Sequence, residues 1–270
     1  MKAHSPGSVT LFFEIVDAAN PLEKGSRGVG VCVMPGAVTT VEKSNVLKVY
    51  INGAKSENTL QEKVAEKMGF TGIIRTKLKL PVSQGFGMSA AASLSTALAI
   101  APYTNTTALE AAHIAHIVEI ESKKGLGDVA TQYEGGITVR MKNGIQPYGV
   151  VDRIYSPFTT AVLVIVGEKI DTSEILSDPQ KKELIKKEGA RAMDEFLKNP
   201  TLERAIRIGR KFSERIGFVN DEMREIMSRC DKAAPCLLGN SLIIFGKCDE
   251  DIYSDYPHHH VKIGSRANFL

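Results

Sequence analysis

Residues 81–99 read PVSQGFGMSAAASLSTALA, and no other stretch constrains the fold as tightly. An apolar strand pattern at Ile73–Leu80 runs into a loop holding Gly85 and Gly87, and the loop opens on a helix of small residues that starts near Ser89. The glycines reach backbone angles closed to other residues and let a ligand approach the main chain. The first N–H groups of the helix have no intrahelical partner and carry partial positive charge, so the loop is a ready anion site, with phosphate the natural guest. Ser89 also reads as a plain N-cap. A capping box would then need Glu or Gln at position 92, which is Ala92, so an external anion supplies the partner that no side chain returns.

Two common nucleotide motifs do not fit. The sequence contains no G-x-x-x-x-G-K-[ST], and no lysine stands in the loop or the helix start, which disfavours Walker-type hydrolysis. A dinucleotide fingerprint would want a third glycine where Ala90 stands and an acidic residue near position 107, which is Thr107.

Around the loop, apolar stretches at Val9–Val16, Val29–Val33, Val38–Val41 and Leu47–Ile51 predict short strands, followed by a helix at Leu60–Met68. Thr107-Ala-Leu-Glu110 fits a capping box that opens a helix running to about Lys124. After Pro157 the pattern becomes one strand, Ala161–Val166, and amphipathic helices around Pro179–Leu197, Thr201–Ile216 and Asp221–Ser228. This shift sets a domain boundary near 155, giving domains 1–155 and 156–270. The lysine run in QKKELIKKEG reads as a solvated helix face.

A net charge of +3, from 34 basic and 31 acidic residues, is too balanced to announce a nucleic-acid or membrane partner, and no apolar run approaches the roughly 18 residues of a membrane span. Cys32, Cys230, Cys236 and Cys248 form no C-x-x-C pair, and the opening MKAHSPGS has no signal-peptide character. The expectation is a soluble, cytoplasmic protein with reduced cysteines, Cys230 and Cys236 acting as small buried hydrophobes.

The segment Pro81, Gly85, Phe86, Gly87, Met88, Ser89, Ala90 resembles the second motif of the GHMP kinases, P-x-x-x-G-[LF]-G-x-S-[AG], which wraps the phosphates of ATP. AHSPGSVTLFF resembles that family's opening P-G motif, GLGDVATQYEGGITVR the segment with its catalytic aspartate, and KAAPCLLGNSLIIFG its third motif. Within the family the chain is most similar to the archaeal branch that acts on pantoate, through five segments in order between residues 4 and 241. It departs at Ala90-Ala-Ala-Ser93, where glycines are usual, so altered nucleotide affinity is expected.

The resemblance implies an α+β GHMP kinase fold: a ribosomal protein S5 domain 2-like, ATP-binding amino half and a ferredoxin-like α/β carboxyl half. It implies nucleotide binding by Gly85, Phe86, Gly87, Met88, Ser89 and Ala90, and Mg2+ held by Ser89 and Glu119, with Glu121 the fallback. Asp128 becomes the base and Arg140 the clamp for the substrate carboxylate, with Arg27, Ser26 and Ser5 further pocket candidates. Taken alone, Glu119 reads as a solvated helix carboxylate, Asp128 as a helix cap and Arg140 as a surface arginine. His113 and His116 share a helical face with Glu119, but without H-E-x-x-H they read as packing or hydrogen-bonding residues rather than a zinc site. His258, His259 and His260 are left unassigned.

The implied reaction is ATP-dependent phosphorylation of the primary hydroxyl of pantoate to 4-phosphopantoate, in coenzyme A biosynthesis. The alternatives are a GHMP kinase for shikimate, homoserine or mevalonate, or a non-catalytic ligand sensor on the same fold. A homodimer is allowed.

Overall fold

The computed structural model describes residues 1–170, 175 and 177–270. Two long strands, β1 (Lys2–Val16) and β2 (Gly25–Lys43), pair antiparallel along their whole length. The sequence reads β2 as two strands because Met34-Pro35-Gly36 interrupts its apolar run. The pairing instead absorbs the interruption in a register shift, with Ser5 opposite Ala37 and Gly7 opposite Val33. One edge of the sheet is built by β3 (Lys48–Ile51), β4 (Ala54–Ser56) and β5 (Gly72–Leu78), in the order β4-β3-β5-β2. The strands β6 (Ile137–Lys142) and β7 (Val150–Ile154) extend from the first half of β2, β6 lying directly against it.

The carboxyl half adds β8 (Thr160–Ile165), β9 (Ala233–Pro235), β10 (Ser241–Phe245), β11 (His258–Ile263) and β12 (Asn268–Phe269). Because β11 pairs with both β8 and β2, and β12 with β1, one twelve-stranded sheet takes strands from both sides of residue 155.

Local sequence signals start the helices. Thr59 with Glu62 and Thr107 with Glu110 form complete capping boxes for α1 (Leu60–Lys67) and α3 (Ala108–Glu121). Side-chain caps from Asp178, Thr201 and Asn220 open α5 (Pro179–Leu197), α6 (Leu202–Arg215) and α7 (Asp221–Arg229). Two further helices, α2 (Met88–Thr104) and α4 (Asp128–Glu134), have glycine N-caps without a side-chain bond, and both of those N-termini line the cleft described below. In α5 Ile185 is buried and the lysines 181, 186 and 187 are exposed, as the solvated-face pattern requires.

Three apolar clusters fill the interior, and the largest combines β1, β2 and α2 with α5, α6, β8 and β10. Two edge-to-face aromatic pairs tie the halves together there: Phe12 with Phe196, centroids 5.3 Å apart, and Phe13 with Phe212, 6.0 Å apart.

One expectation needs correction. Cys230 is not a free buried thiol but is bonded to Cys248, their Cα atoms 6.4 Å apart; Cys32 and Cys236 are free and buried. Eighteen residues separate the pair, so no local spacing announces it. Among the described residues no helix is long and apolar enough to cross a membrane.

Phe196 is fully buried against Phe12 across the two halves, so Phe196→Ala leaves a cavity at their junction. The expected cost is about 3–5 kcal/mol, read from the shift of the urea unfolding midpoint, with both halves lost in one transition.

Candidate functional site

A cleft of about 460 Å³ opens where the loop before α2, the loop before α4, β6 and the Leu237–Leu238 turn converge. Gly85, Phe86, Gly87, Met88 and Ser89 line one wall. Gly87, the N-cap of α2, has φ +60°, and a Cβ there would overlap the Ser8 hydroxyl, so only glycine lets the loop close onto β1. Ser89 is therefore not the cap but lies in the first turn, where the N–H groups of Met88, Ser89 and Ala90 precede the first intrahelical bond, Ala91 N–H to Gly87 C=O. Ala90 offers its backbone alone, because its methyl is buried among β2, α1 and α3 residues.

Lys63 from α1 and Lys124 line the same cleft. The phosphate-attracting cations that the loop lacks are supplied by other elements. Lys63 Nζ donates to Ser122 Oγ at 3.0 Å.

Glu119 lies behind Ser89, 2% exposed, and both its oxygens accept hydroxyl bonds from α2: Ser89 to Oε2 and Ser93 to Oε1, each 3.0 Å. Burial lifts its pKa to about 7, against the pull of the two serines. The fallback Glu121 faces elsewhere, paired with Lys67 at 2.9 Å. The solvated-carboxylate alternative for Glu119 is thus excluded.

Asp128 opens α4, and its Oδ1 accepts from Ser8 Oγ at 2.7 Å rather than capping the helix. Burial raises its pKa, while the Ser8 bond and the Arg140 charge oppose the shift. Glu119 Oε2 and Asp128 Oδ2 lie 2.9 Å and 3.4 Å from the point where a Gly125 side chain would begin, so the two carboxylates flank one small space. Serine hydroxyl and carboxylate oxygens suit a hard cation such as Mg2+, which keeps waters and takes its remaining ligands from phosphate. Among the described residues no group of three or more His, Cys, Asp or Glu side chains is arranged to hold a metal by itself.

Arg140 is not a surface arginine. It lies 1% exposed on β6 at the cleft floor, with Nη1 donating to Thr131 Oγ1 at 2.7 Å and Nε to the Ser26 carbonyl at 3.3 Å. Burial lowers its pKa to about 10, and the Asp128 charge opposes the change. Ser26 lines the cleft beside it. Arg27 and Ser5 do not: Arg27 Nε is held by Glu14 at 2.6 Å, its partner across the β1–β2 ladder, and Ser5 is buried with its hydroxyl on Gln132 Oε1 at 3.1 Å.

His113 and His116 bond backbone carbonyls, of Gln146 at 2.5 Å and Lys24 at 3.0 Å, as the hydrogen-bonding reading has it. Burial takes His116 down to about pKa 4. Residues that sequence reasoning missed are Ser8, Ser93, Thr131, Gln132, Lys63 and Lys124. Ser93 and Gln132 carried a local signal, their i,i+4 spacing from Ser89 and from Asp128.

The chain is similar over most of its length to proteins of known activity. Residues 52–136 match the family model of the GHMP kinases N terminal domain. A pantoate kinase of Thermococcus kodakarensis is 35% identical over 262 residues, covering 92% of this chain and 85% of that protein. A pantoate kinase of Methanocaldococcus jannaschii is 31% identical, covering 90% of this chain and 92% of that protein. A solved phosphotransferase related to the CoA biosynthesis pathway superposes with TM-score 0.87 at 31% identity, covering 99% of this chain and 97% of its own.

The Glu119 shift has a measurable consequence. Its folded pKa of about 7 exceeds the ordinary 4.5, so the folded state holds the proton more tightly and loses stability as pH rises through that window. Relative to Glu119→Gln, the metal-free wild-type protein should lose about 3 kcal/mol between pH 4.5 and 7.5 in chemical denaturation. A pH-independent difference would mean that Glu119 titrates as a solvated carboxylate.

Proposed function

This chain belongs to the pantoate kinase family within the GHMP kinases, and from that premise we propose that it transfers the γ-phosphoryl group of ATP to the primary hydroxyl of pantoate. The product is 4-phosphopantoate, on the route to coenzyme A, and ADP leaves. The observation that carries this reading is the convergence of Asp128 and Arg140 on one cleft, with Glu119 behind Ser89 and beside Asp128, where a further wall is a helix N-terminus behind a glycine loop. On this reading residues 1–155 bind the nucleotide and residues 156–270 form the carboxyl-terminal domain.

The triphosphate lies along Gly85–Ser89, where backbone N–H groups and the α2 dipole meet its charge and Lys63 and Lys124 add their own. The substrate carboxylate faces the Arg140 guanidinium, whose planar fork matches two carboxylate oxygens and whose orientation is fixed from below by Thr131. Asp128 accepts the hydroxyl proton as the substrate oxygen bonds to the γ-phosphorus and the bond to the bridging oxygen breaks. The rate gain comes from holding the two reactants in line in a low-dielectric cleft.

Ser89 and Glu119 would hold Mg2+, which when bound neutralises phosphate charge. Both side chains offer hard oxygen donors, and among the described residues Glu119 accepts its hydrogen bonds from the hydroxyls of Ser89 and Ser93, with the Lys124 charge acting on it as well.

Two outcomes test the assignment. Asp128→Asn should cut kcat by roughly 10²–10⁴ with an unchanged circular dichroism spectrum, and full turnover would remove Asp128 from the base role. Arg140→Lys, which keeps the charge and loses the fork, should raise the KM for pantoate about tenfold or more while the KM for ATP stays put. Wild-type protein given ATP, Mg2+ and pantoate, shikimate, homoserine or mevalonate in turn should phosphorylate pantoate in preference to the rest.

A further inference from the structure

Four side chains that the mechanism above leaves unused or half-used form one directed hydrogen-bond chain beneath the cleft. Gln132 is fully buried on α4, one turn after Asp128 and on the same helical face. Its Nε2 lies 2.8 Å from the Gly87 carbonyl and 2.9 Å from Ser8 Oγ, and its Oε1 lies 3.1 Å from Ser5 Oγ.

The orientation of this amide is forced. A carbonyl only accepts, so the group facing Gly87 must be the NH2, and Oε1 faces the Ser5 hydroxyl. One amide hydrogen goes to Gly87 and the other to Ser8. Ser8 Oγ then accepts from Gln132, and its single proton points to Asp128 Oδ1 at 2.7 Å. That oxygen of Asp128 is occupied as an acceptor. The other, Oδ2, faces the space beside Gly125 that it shares with Glu119.

We infer that Gln132 is a positioning residue that sets the phosphate loop and the base together, through Gly87 on one side and through Ser8 on the other. The inference rests on the proposed role of Asp128 and deepens it, because it assigns Oδ2 as the atom that receives the substrate proton. The charged groups that face Asp128 from the neighbouring elements are Arg140 on β6 and Glu119 on α3. Arg140 acts on Asp128 through its charge while its Nη1 and Nε donate to Thr131 and Ser26, and Glu119 accepts from serines, so the hydrogen bond on Oδ1 is the one from Ser8.

The two arms separate on mutation. Ser8→Ala removes the donor to Asp128 and leaves the Gln132–Gly87 bond in place. Gln132→Met strands both the Gly87 carbonyl and the Ser8 oxygen, so loop and base are loosened at once. Gln132→Asn keeps the amide but is one methylene too short to reach both partners, and it serves if the Met variant does not fold.

The experiment measures kcat and KM with ATP and pantoate for Ser8→Ala, Gln132→Met and the double variant, and the calorimetric affinity of each for a non-hydrolysable ATP analogue with Mg2+. Ser8→Ala should lower kcat about 10–100-fold and bind the analogue within about twofold of wild type. Gln132→Met should lower kcat by a similar factor and weaken the analogue about five- to tenfold. The double variant should be no slower than Gln132→Met by more than about twofold, because Gln132 acts on the base only through Ser8. Losses in kcat that multiply, or wild-type analogue affinity in Gln132→Met, would overturn the inference. Absence of pantoate turnover by wild type would overturn the functional reading instead, and the analogue affinities, which need no acceptor, would still decide the loop arm.

Discussion

The antiparallel pairing of β1 with β2 is the constraint on which the rest of the molecule depends. Because the two strands stay paired from Lys2–Thr40 to Val16–Gly25, β1 carries side chains to both layers at once. Phe12 and Phe13 meet Phe196 and Phe212 from the carboxyl half, while Ser8, a few residues earlier on the same strand, reaches Asp128. The backbone N–H of Ser8 also donates to the phosphate loop, bonding Phe86 C=O at 2.9 Å. The strand that organises the core thus also fixes the spacing between loop and base. Catalysis by positioning requires such a strut, since small displacements of the reacting groups are costly in rate.

Within the cleft the balance is electrostatic. Glu119 and Asp128 lie around one small space, both raised by burial, and among the described residues each accepts its side-chain hydrogen bonds from serine hydroxyls, with Lys124 and Arg140 adding their charge. Arg140, equally buried, gains from Asp128. A carboxylate satisfied only by neutral donors retains attraction for a cation, whereas a salt-bridged one is largely spent. The surface carboxylates illustrate the contrast: Asp17 is held at about pKa 2 by Lys182 and Lys24 and has no such capacity left. Site and surface use the same residue types, and the partner decides the role.

What the sequence made legible was local. Capping boxes at Thr59 and Thr107 act over three residues, and α5 is bounded as its Pro and amphipathic pattern predict, so those elements could be read directly. The glycine loop and Asp128 were found because their motifs are contiguous. Pairings across the sheet were not legible: the continuity of β2 past Met34-Pro35-Gly36 exists only because β1 shifts register opposite it. Arg27 looked like a pocket residue until the ladder set Glu14 opposite it. Ser8 and Gln132 are separated by 124 residues, and Cys230 from Cys248 by 18, so neither contact has a signature in composition or period.

The Ala90-Ala91-Ala92-Ser93 departure also reads differently in three dimensions. From sequence, three methyls stand where backbone would approach phosphate. In the fold Ala90 packs with β2, α1 and α3 residues, Ala91 joins the cluster shared with α5 and α6, and Ala92 alone turns to the cleft. The fourth residue, Ser93, sits one turn below Ser89 and gives its proton to Glu119. Alanines make the first turns of α2 stiffer than glycines would, by roughly 0.5–1 kcal/mol per position, and that turn presents both the loop N–H groups and the Ser89–Ser93 pair. The substitution therefore acts less on the space available to phosphate than on the rigidity of the helix end that meets it. Its effect on nucleotide affinity would come through preorganisation, as a smaller ordering cost on binding, rather than through crowding.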